Sequence, residues 1–321
     1  MTRFLTRGGL MALALLAAMP VSAQSFGRLE FIVPGGPGSG QDQAARAFEE
    51  ALRAEKLITG GQIVHYAGGG GMIAVSQFLT GKVGNGNAVV TQGAGHLSFP
   101  LSNKTPVSLN DVVPLARIAG EYELIVVRSN SEFKTIDDLI AKYKANPSSV
   151  TWGAGSTGST DHIFYALVSK AAGVDPKKLN YIPHANTGDI VAAVLGGHVQ
   201  VGAGGYQDFA PQIQGNRMRV LAVGSPERLP GIDAPTLKEK GLDVVLTNWR
   251  AVSAHPSLSV EQLDRLSDIF DKMVKSPTWK KILAEKGWND LYLDRKGYLE
   301  FMKAEQVRVR GILQELGMAV Q

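Results

Sequence analysis

The sequence contains no cysteine. Because thiols are absent, the chain can form neither disulfides nor thiolate metal sites, and it has no thiol nucleophile. A lipid-modified N-terminal cysteine is excluded for the same reason. We therefore expect a protein without thiol-based chemistry and without a lipid tether.

A strong charge of one sign and long apolar runs are also missing. The chain has 33 Lys and Arg residues against 29 Asp and Glu residues, a formal net charge of +4. This balance is too mild to indicate a nucleic acid or an acidic membrane surface as a partner. The apolar run Leu10 to Ala18 is too short to span a membrane, and no later run is long enough either.

The N-terminal segment has the pattern of a targeting sequence. Arg3 and Arg7 precede the apolar run, and Val21-Ser22-Ala23 follows it with small residues at the cleavage positions. We expect residues 1–23 to be a signal peptide that is cut before Gln24. A soluble exported protein without a lipid tether then indicates the periplasm of a Gram-negative cell.

Motifs for catalysis and for metal binding are absent as well. The six histidines form no metal-binding pair, and nothing resembles H-E-x-x-H. Neither Ser39 nor Ser156 has the G-x-S-x-G elbow, and no turn reads G-K-[ST]. Residues 153–158 match G-x-G-x-x-G, but the next strand ends at His184 and not at an acidic residue that would hold a ribose. We therefore predict no catalytic residue, no metal and no cofactor, and we interpret residues 153–158 as an anion-binding turn.

Glycine, by contrast, is abundant, with 37 residues. The turn Pro34–Asp42 lies between an apolar strand at Leu29–Val33 and an amphipathic helix at Gln43–Leu52. The turns Ala67–Gly71 and Gly153–Thr160 occupy the same position in later strand–helix units. Unpaired N–H groups and the positive end of the helix dipole meet at such turns. The repetition predicts several helix N-termini directed at one anionic ligand.

The pattern of elements predicts an α/β fold with two lobes. About 300 mature residues are more than one ordinary core holds. Strands and helices alternate, so each lobe is expected to be a mostly parallel sheet flanked by helices, with two hinge crossings between the lobes. The expected division is residues 24–122 for the first part of lobe 1, residues 123–246 for lobe 2, and residues 247–321 for the C-terminal helical part of lobe 1.

Glycines and neutral hydrogen-bond donors concentrate at the turns, which contain no Lys or Arg. Together they predict a site for a ligand carboxylate, built from hydroxyl and backbone N–H groups. The alternative for each single donor is a helix cap worth about 1 kcal/mol, and a structural role for His162 stands beside that of a pocket donor. Asp42 is expected to cap its helix and to pair with Arg46. The predicted ligand-binding residues are Gly36, Pro37, Gly38, Ser39, Gln41, Gly70, Gln92, Ser156, Thr157, Ser159, Thr160, His162, Asn186, Thr187 and Tyr206.

A set of motifs matches one known family. The motifs are Phe31–Arg46, Val112–Ile118, Gly158–His162, Tyr181–Pro183, Leu195–Val199, Leu221–Pro230 and Asn248–Arg250. In this combination, which covers essentially the whole mature chain, the sequence resembles the substrate-binding proteins of tripartite tricarboxylate transporters, the TctC or Bug family, in its tricarboxylate-type branch.

The resemblance implies a two-lobe periplasmic binding protein of type II-like architecture and not an enzyme. Such a protein closes on a small organic acid, here a tri- or dicarboxylate such as citrate. It then passes the acid to a membrane permease with a large and a small subunit. In the family the first glycine-rich turn and the Ser/Thr-rich turn of the other lobe hold ligand carboxylates, which implies this role for Pro34–Asp42 and Ser156–His162. We expect a monomer that meets the permease transiently.

Two departures from the family pattern leave the ligand open. Gln41 stands where many tricarboxylate-type members have an aromatic residue, and Ala67–Gly71 replaces the usual Pro-Gly-Ala-Gly-Gly. Two other functions also remain open. One is an exported serine hydrolase that uses Ser159 or Ser156 with His162. The other is an accessory protein that presents the bound acid to a membrane kinase.

Overall fold

The computed structural model describes residues 26–81, 86–184 and 187–318. The predicted signal peptide lies outside these residues. The strands are β1 (Arg28–Val33), β2 (Gly60–His65), β3 (Ala88–Gly93), β4 (Val113–Tyr122), β5 (Leu124–Arg128), β6 (Thr151–Ala154), β7 (Asn180–Pro183), β8 (Val201–Gly204), β9 (Met218–Val223), β10 (Thr247–Ala254) and β11 (Asn289–Leu293). The helices are α1 (Gly40–Ala54), α2 (Met72–Thr80), α3 (Ala94–Ser102), α4 (Ile136–Ala145), α5 (Thr160–Ala171), α6 (Thr187–Gly196), α7 (Tyr206–Gln214), α8 (Val260–Lys275), α9 (Pro277–Lys286) and α10 (Arg295–Glu315).

The first lobe is built on a six-stranded sheet in the order β11-β4-β10-β3-β1-β2. Strand β1 runs parallel to β2 and β3, while β10 is antiparallel to both β3 and β4. Helix α1 covers one face of this sheet with its apolar stripe, and Phe48 on that stripe packs against Phe270 of α8 and Trp279 of α9. Burial of such an apolar stripe is the main stabilising contribution of an amphipathic helix.

The second lobe is built on a five-stranded sheet in the order β7-β6-β8-β5-β9. Strand β6 is parallel to β7 and β8, and β5 is antiparallel to β8 and β9. The prediction of a two-lobe α/β fold is therefore confirmed, with sheets that are mixed where sequence analysis expected mostly parallel ones. The antiparallel strands are those that cross between the lobes or pair with a crossing strand, which periodicity alone does not reveal.

The chain passes between the sheets twice. The first passage lies between Tyr122 at the end of β4 and Leu124 at the start of β5. The second lies between Val223 and Thr247. The two passages touch, because the Glu123 backbone N–H donates a hydrogen bond of 3.4 Å to the Leu246 carbonyl. Both residues stand next to the ends of strands, where hinges between lobes are commonly placed.

Helix α10 also connects the lobes. It packs on β4 and α3 of the first lobe and on α5 of the second. At its end, Glu315 Oε1 accepts a bond of 2.6 Å from Lys170 Nζ on α5. Within the described ranges, no helix has both the length and the apolarity that a membrane span requires.

Candidate functional site

A cleft of about 890 Å³ opens between the lobes. The first lobe contributes the start of α1, residues of β10 and the end of α9 to its walls. The second lobe contributes the starts of α6 and α7 and Asp161 near the start of α5. This volume falls within the range of small-molecule sites, roughly 300–1,000 Å³.

Nearby side chains accept hydrogen bonds from two backbone N–H groups at the start of α1. Ser39 Oγ caps the helix by accepting from the Asp42 backbone N–H. Asp42 Oδ2 accepts from the Gly38 N–H at 2.8 Å and from Arg46 Nε at 2.9 Å, and Asp42 Oδ1 lies 2.7 Å from His65 Nε2. Although burial opposes it, the hydrogen bonds from Arg46, Gly38 and His65 lower the pKa of Asp42 to about 2. Asp42 and Arg46 thus take the structural roles predicted for them.

Side chains accept hydrogen bonds from two backbone N–H groups at the start of α5 in the same way. Ser159 Oγ caps the helix by accepting from the His162 backbone N–H. His162 Nδ1 accepts from the Gly158 N–H at 3.0 Å, and the imidazole ring stacks on Tyr181 at 4.1 Å between ring centroids. Burial lowers the pKa of His162 to about 4, so the ring is neutral at pH 7.

This geometry does not support a nucleophilic serine. A general base must lie within hydrogen-bond reach of the hydroxyl proton that it abstracts. Here Nδ1 of His162 is occupied by the Gly158 N–H, and the contact between Ser159 and His162 is a backbone capping bond. The reading of Ser159 with His162 as a catalytic pair is therefore wrong, because both groups are used to close the helix start.

Arg250 brings a fixed positive charge to the cleft. It lies on β10, is 6% exposed, and bonds through Nη2 to Glu121 Oε1. Its guanidinium carbon lies 4.6 Å from the ring centroid of Trp288. A methyl group at Gly40 would lie 3.2 Å from Arg250 Nη1, so the guanidinium faces the start of α1. Arg250 Nε has no hydrogen-bond partner within the described part of the chain.

Acidic side chains surround this arginine. Asp161 Oδ2 accepts from the Gly155 N–H at 2.8 Å, and Asp208 Oδ2 accepts from the Gly205 N–H at 3.0 Å. Burial, with the neighbouring carboxylates Asp208 and Glu121, raises the pKa of Asp161 to about 6. Burial also raises the pKa of Glu121, against the effect of Arg250.

Glu123 is the most deeply buried of these acids. The residue is 0% exposed, and neither carboxyl oxygen has a hydrogen-bond partner among the described residues. Burial and the charge of Asp161 raise the pKa of Glu123 well above its ordinary value. The described residues contain no group of three or more metal-ligating side chains placed to hold a metal ion.

A second, smaller cavity of about 410 Å³ lies on the other side of the first turn. Its polar lining consists of hydroxyl groups, including those of Ser102, Ser156 and Ser159, together with His96. Phe99, Gly68, Gly70 and Gly71 supply part of the remaining wall. Residues of both lobes line this cavity, and none of the lining residues is charged at pH 7, since burial lowers the pKa of His96 to about 4.

The structure divides the predicted site residues among several places. Gly38, Ser39 and Thr187 line the large cleft. Gly70, Ser156, Thr157 and Ser159 line the smaller cavity, whereas Tyr206 lines a further one of about 390 Å³. Gly36 and Pro37 lie in the first turn without lining either of the two cavities. Gln41, Gln92, Thr160 and His162 are buried. Asn186 lies outside the described residues.

Gln92 lies within β3, and its side-chain oxygen is bonded in the core of the protein. It is 1% exposed, and its Oε1 accepts from Ser253 Oγ at 3.1 Å and from the Tyr298 hydroxyl at 3.0 Å. These partners are 161 and 206 residues away in the chain. The amide therefore cross-links β3, β10 and α10 in the core.

Sequence analysis missed the charged residues of the cleft as a group. Arg250, Glu121, Asp161 and Asp208 all lie on its wall. A local signal was present for two of them, because Arg250 interrupts an apolar strand and Glu121 stands at the passage between two apolar strands. Charges at such places are costly to bury and indicate a partner or a function.

Comparisons with known proteins agree with this architecture. The family model described as tripartite tricarboxylate transporter family receptor matches residues 45–318. The UPF0065 protein in the gbd 5′ region of Cupriavidus necator is 26% identical, over 98% of this chain and 98% of its own. Protein BugT of Bordetella pertussis is 25% identical, over 99% of this chain and 98% of its own.

Solved structures show the same fold. The ligand-free TctC solute-binding protein from Polaromonas superposes with a TM-score of 0.75 at 25% identity, covering 91% of this chain and 99% of its own. R. palustris Rpa4515 with adipate superposes with a TM-score of 0.79 at 21% identity, covering 92% and 98%. The matching family is one of transporter receptors, and the Polaromonas protein is a solute-binding protein, which confirms the prediction of a binding protein and not an enzyme.

Proposed function

Because the chain belongs to the TctC or Bug family of tripartite tricarboxylate transporter receptors, we propose that it binds a small organic acid between its lobes. It then delivers that acid to a two-subunit membrane permease. The family is periplasmic, and the proposed place of capture is the periplasm. Rpa4515, with which the chain shares its fold, has adipate bound.

The observation that carries this proposal is that the Arg250 guanidinium lies next to Gly40 at the start of α1, on the wall of the large cleft. A guanidinium is a planar donor that matches a carboxylate, and a helix N-terminus favours an anion. Arg250 Nε is buried and has no partner within the described part of the chain. A ligand carboxylate at this position would supply that partner.

The two lobes suit capture by closure. We propose that they divide as the sequence predicts, with residues 24–122 and 247–321 in one lobe and 123–246 in the other. Arg250 and Ser39 then belong to one lobe, and Asp161, Thr187 and Asp208 to the other. A ligand that contacts both walls binds the closed state better than the open state and shifts the population towards it.

Thermal unfolding of the refolded protein against a panel of organic acids tests the proposal. Refolding first removes any acid carried from the cell. A ligand at about 100 times its dissociation constant adds about 2.7 kcal/mol of stability, so we expect a clear rise in melting temperature with at least one acid.

Variants connect that rise to the cleft. The double variant Arg250→Gln with Glu121→Gln removes both members of the buried ion pair, so no carboxylate is left without its partner. In this variant we expect the ligand-dependent rise in melting temperature to disappear. Arg228→Gln, which removes an exposed arginine paired with Glu239, should leave the rise unchanged. If no acid raises the melting temperature of the refolded protein, capture of an organic acid is rejected.

A further inference from the structure

The cleft carries more negative than positive side chains. Among the residues that line it are the carboxylates Glu121, Asp161, Asp208 and Glu285 and the cations Arg250 and Lys286. With all of them ionised, the balance is 2 − 4 = −2. Like charges repel more strongly near a protein surface than in bulk water, because the effective dielectric constant there is lower. A ligand carboxylate is therefore repelled wherever it lies close to one of the four acids and away from the cations.

The positive end of the cleft is small and lies in the first lobe. Arg250 faces the start of α1, and its Nη2 is already bonded to Glu121. Its Nε is buried and has no hydrogen-bond partner among the described residues. The N–H groups of Gly155 and Gly205 in the second lobe, like that of Gly38 in the first, are each bonded to a carboxylate of their own helix, so Arg250 is the group that distinguishes the first lobe as the anion site.

The negative end lies in the second lobe. Asp161 and Asp208 stand near the starts of α5 and α7, and both line the cleft. Asp161 is the charge that acts most strongly on Glu123, which is fully buried and has no hydrogen-bond partner among the described residues. Buried carboxyl groups of this kind are costly unless a cation or a donor satisfies them.

We propose that the ligand of this cleft carries a protonated amine together with a single carboxylate, and that the cleft disfavours di- and tricarboxylates. The carboxylate binds at Arg250 and the start of α1, and the ammonium binds between Asp161 and Asp208. This inference rests on the proposed function, and it replaces citrate and similar acids as the expected ligand.

An organic cation fits these acids better than a metal ion. No group of metal-ligating side chains occurs in the described ranges, so the acids are not arranged as a metal site. An ammonium donates three hydrogen bonds in any direction and needs no fixed coordination geometry. A ligand with opposite charges at its two ends also contacts both lobes with attraction, and it would therefore stabilise the closed state.

Calorimetric titration with matched ligand series tests the inference on the refolded protein. One series is succinate, 4-aminobutyrate and butyrate, and the other is adipate, 6-aminohexanoate and hexanoate. Within a series the three ligands have the same number of carbon atoms, and the group at the far end is a carboxylate, an ammonium or a methyl. In at least one series, we expect the amino acid to bind at least tenfold more tightly than both of the other ligands.

The Asp161→Asn variant assigns the ammonium position. Asn keeps an oxygen that can accept the Gly155 N–H, so the turn should fold. We expect the preference for the amino acid over the dicarboxylate to fall at least tenfold. Asp268→Asn removes an exposed carboxylate on α8 that pairs with Lys272, and it should leave the preference as in the wild-type protein.

The outcomes separate the two proposals. If adipate or succinate binds as tightly as its amino analogue, the ammonium inference is overturned while capture of an organic acid stands. Equal binding of the amino acids and the methyl-terminated acids overturns it as well. If no member of either series binds, and no acid of the thermal panel raises the melting temperature, the proposed function itself fails.

Discussion

One helix in each lobe, α1 in the first and α5 in the second, begins with the same backbone conformation. Gly38 and Gly158 have positive φ values of 80° and 82°. The residue after each glycine is a serine that caps the helix, with φ and ψ of −65° and 162° at Ser39 and of −67° and 170° at Ser159. In both turns the glycine N–H donates to the side chain four residues later.

The acceptor in that position differs between the lobes. In the first lobe it is Asp42, whose negative charge is held by Arg46 and His65. In the second lobe it is neutral His162, and the residue that matches Arg46 is Ala166. The acid of the second turn is Asp161, one residue earlier, and it lies on the cleft wall.

The two turns therefore have the same backbone conformation but differ in the charge of the side chains that they place near the cleft. In the first turn Asp42 pairs with Arg46 and lies within hydrogen-bond distance of His65, and the charged residue that faces this turn on the cleft wall is Arg250. The second turn is held by a neutral ring and presents a carboxylate to the cleft. An arginine on the wall of the first lobe and two carboxylates on the wall of the second suit a ligand with two different ends.

The largest loss of stability is expected when the hydrogen-bond acceptor of the second turn, His162, is replaced by that of the first turn, an aspartate. His162→Asp places a carboxylate beside Asp161, where no arginine matches Arg46. An uncompensated buried charge costs about 3–5 kcal/mol, and we expect a loss of this order in the free energy of unfolding at pH 7, measured with urea.

A neutral variant and the reverse exchange serve as controls. His162→Asn keeps an acceptor for the Gly158 N–H and should lose clearly less stability than His162→Asp. In Asp42→His, Arg46 loses its partner but is largely exposed, with 59% of its side chain accessible, so the loss should be smaller than in His162→Asp. Equal stability of His162→Asp and His162→Asn would mean that the charge of the acceptor does not distinguish the turns.

The turns were predictable from the sequence, and their use was only partly so. A strand, a glycine-rich segment and a helix are adjacent in the chain, so their geometry follows from local preferences. The bond between Arg250 and Glu121 joins residues 129 positions apart. No spacing rule connects such residues, and the acidic character of the cleft was therefore invisible before the fold was known.

The donor residues illustrate the same limit. Ser39 and Ser159 were predicted to lie at helix starts, and both cap their helices. Whether a capping serine also faces a cavity depends on which element packs above it. Ser39 lines the large cleft and Ser159 lines the smaller cavity, although each serine follows a glycine and caps a helix.

The next largest effect is the pH dependence of stability that the buried Glu123 causes. Burial raises the pKa of Glu123 well above its ordinary value of 4.5, with repulsion from Asp161, Glu121 and Asp208 adding to this and Arg250 opposing it. The folded protein therefore keeps a proton that the unfolded chain has lost. Its stability relative to Glu123→Gln should fall as the pH rises from 4.5 towards the folded pKa, by at most about 1.4 kcal/mol per pH unit.

Urea unfolding of the wild-type protein and Glu123→Gln at several pH values measures this difference. The effects of His96 and His162, whose lowered pKa values act in the opposite direction, are present in both proteins and cancel in the comparison. Below pH 4.5 the difference should be constant. A difference that does not change between pH 4.5 and pH 8 would show that Glu123 is not buried as an acid near the second turn.

The smallest effect separates the two serines by function. Loss of a capping hydroxyl costs about 1 kcal/mol, and because the two caps have the same geometry, Ser39→Ala and Ser159→Ala should lose similar stability in urea. Their effects on ligand affinity should differ, because only Ser39 lines the cleft with Arg250. We expect calorimetry to show weaker binding in Ser39→Ala and unchanged binding in Ser159→Ala. The opposite result would place the ligand in the hydroxyl-lined cavity and would leave the charged cleft without its proposed role.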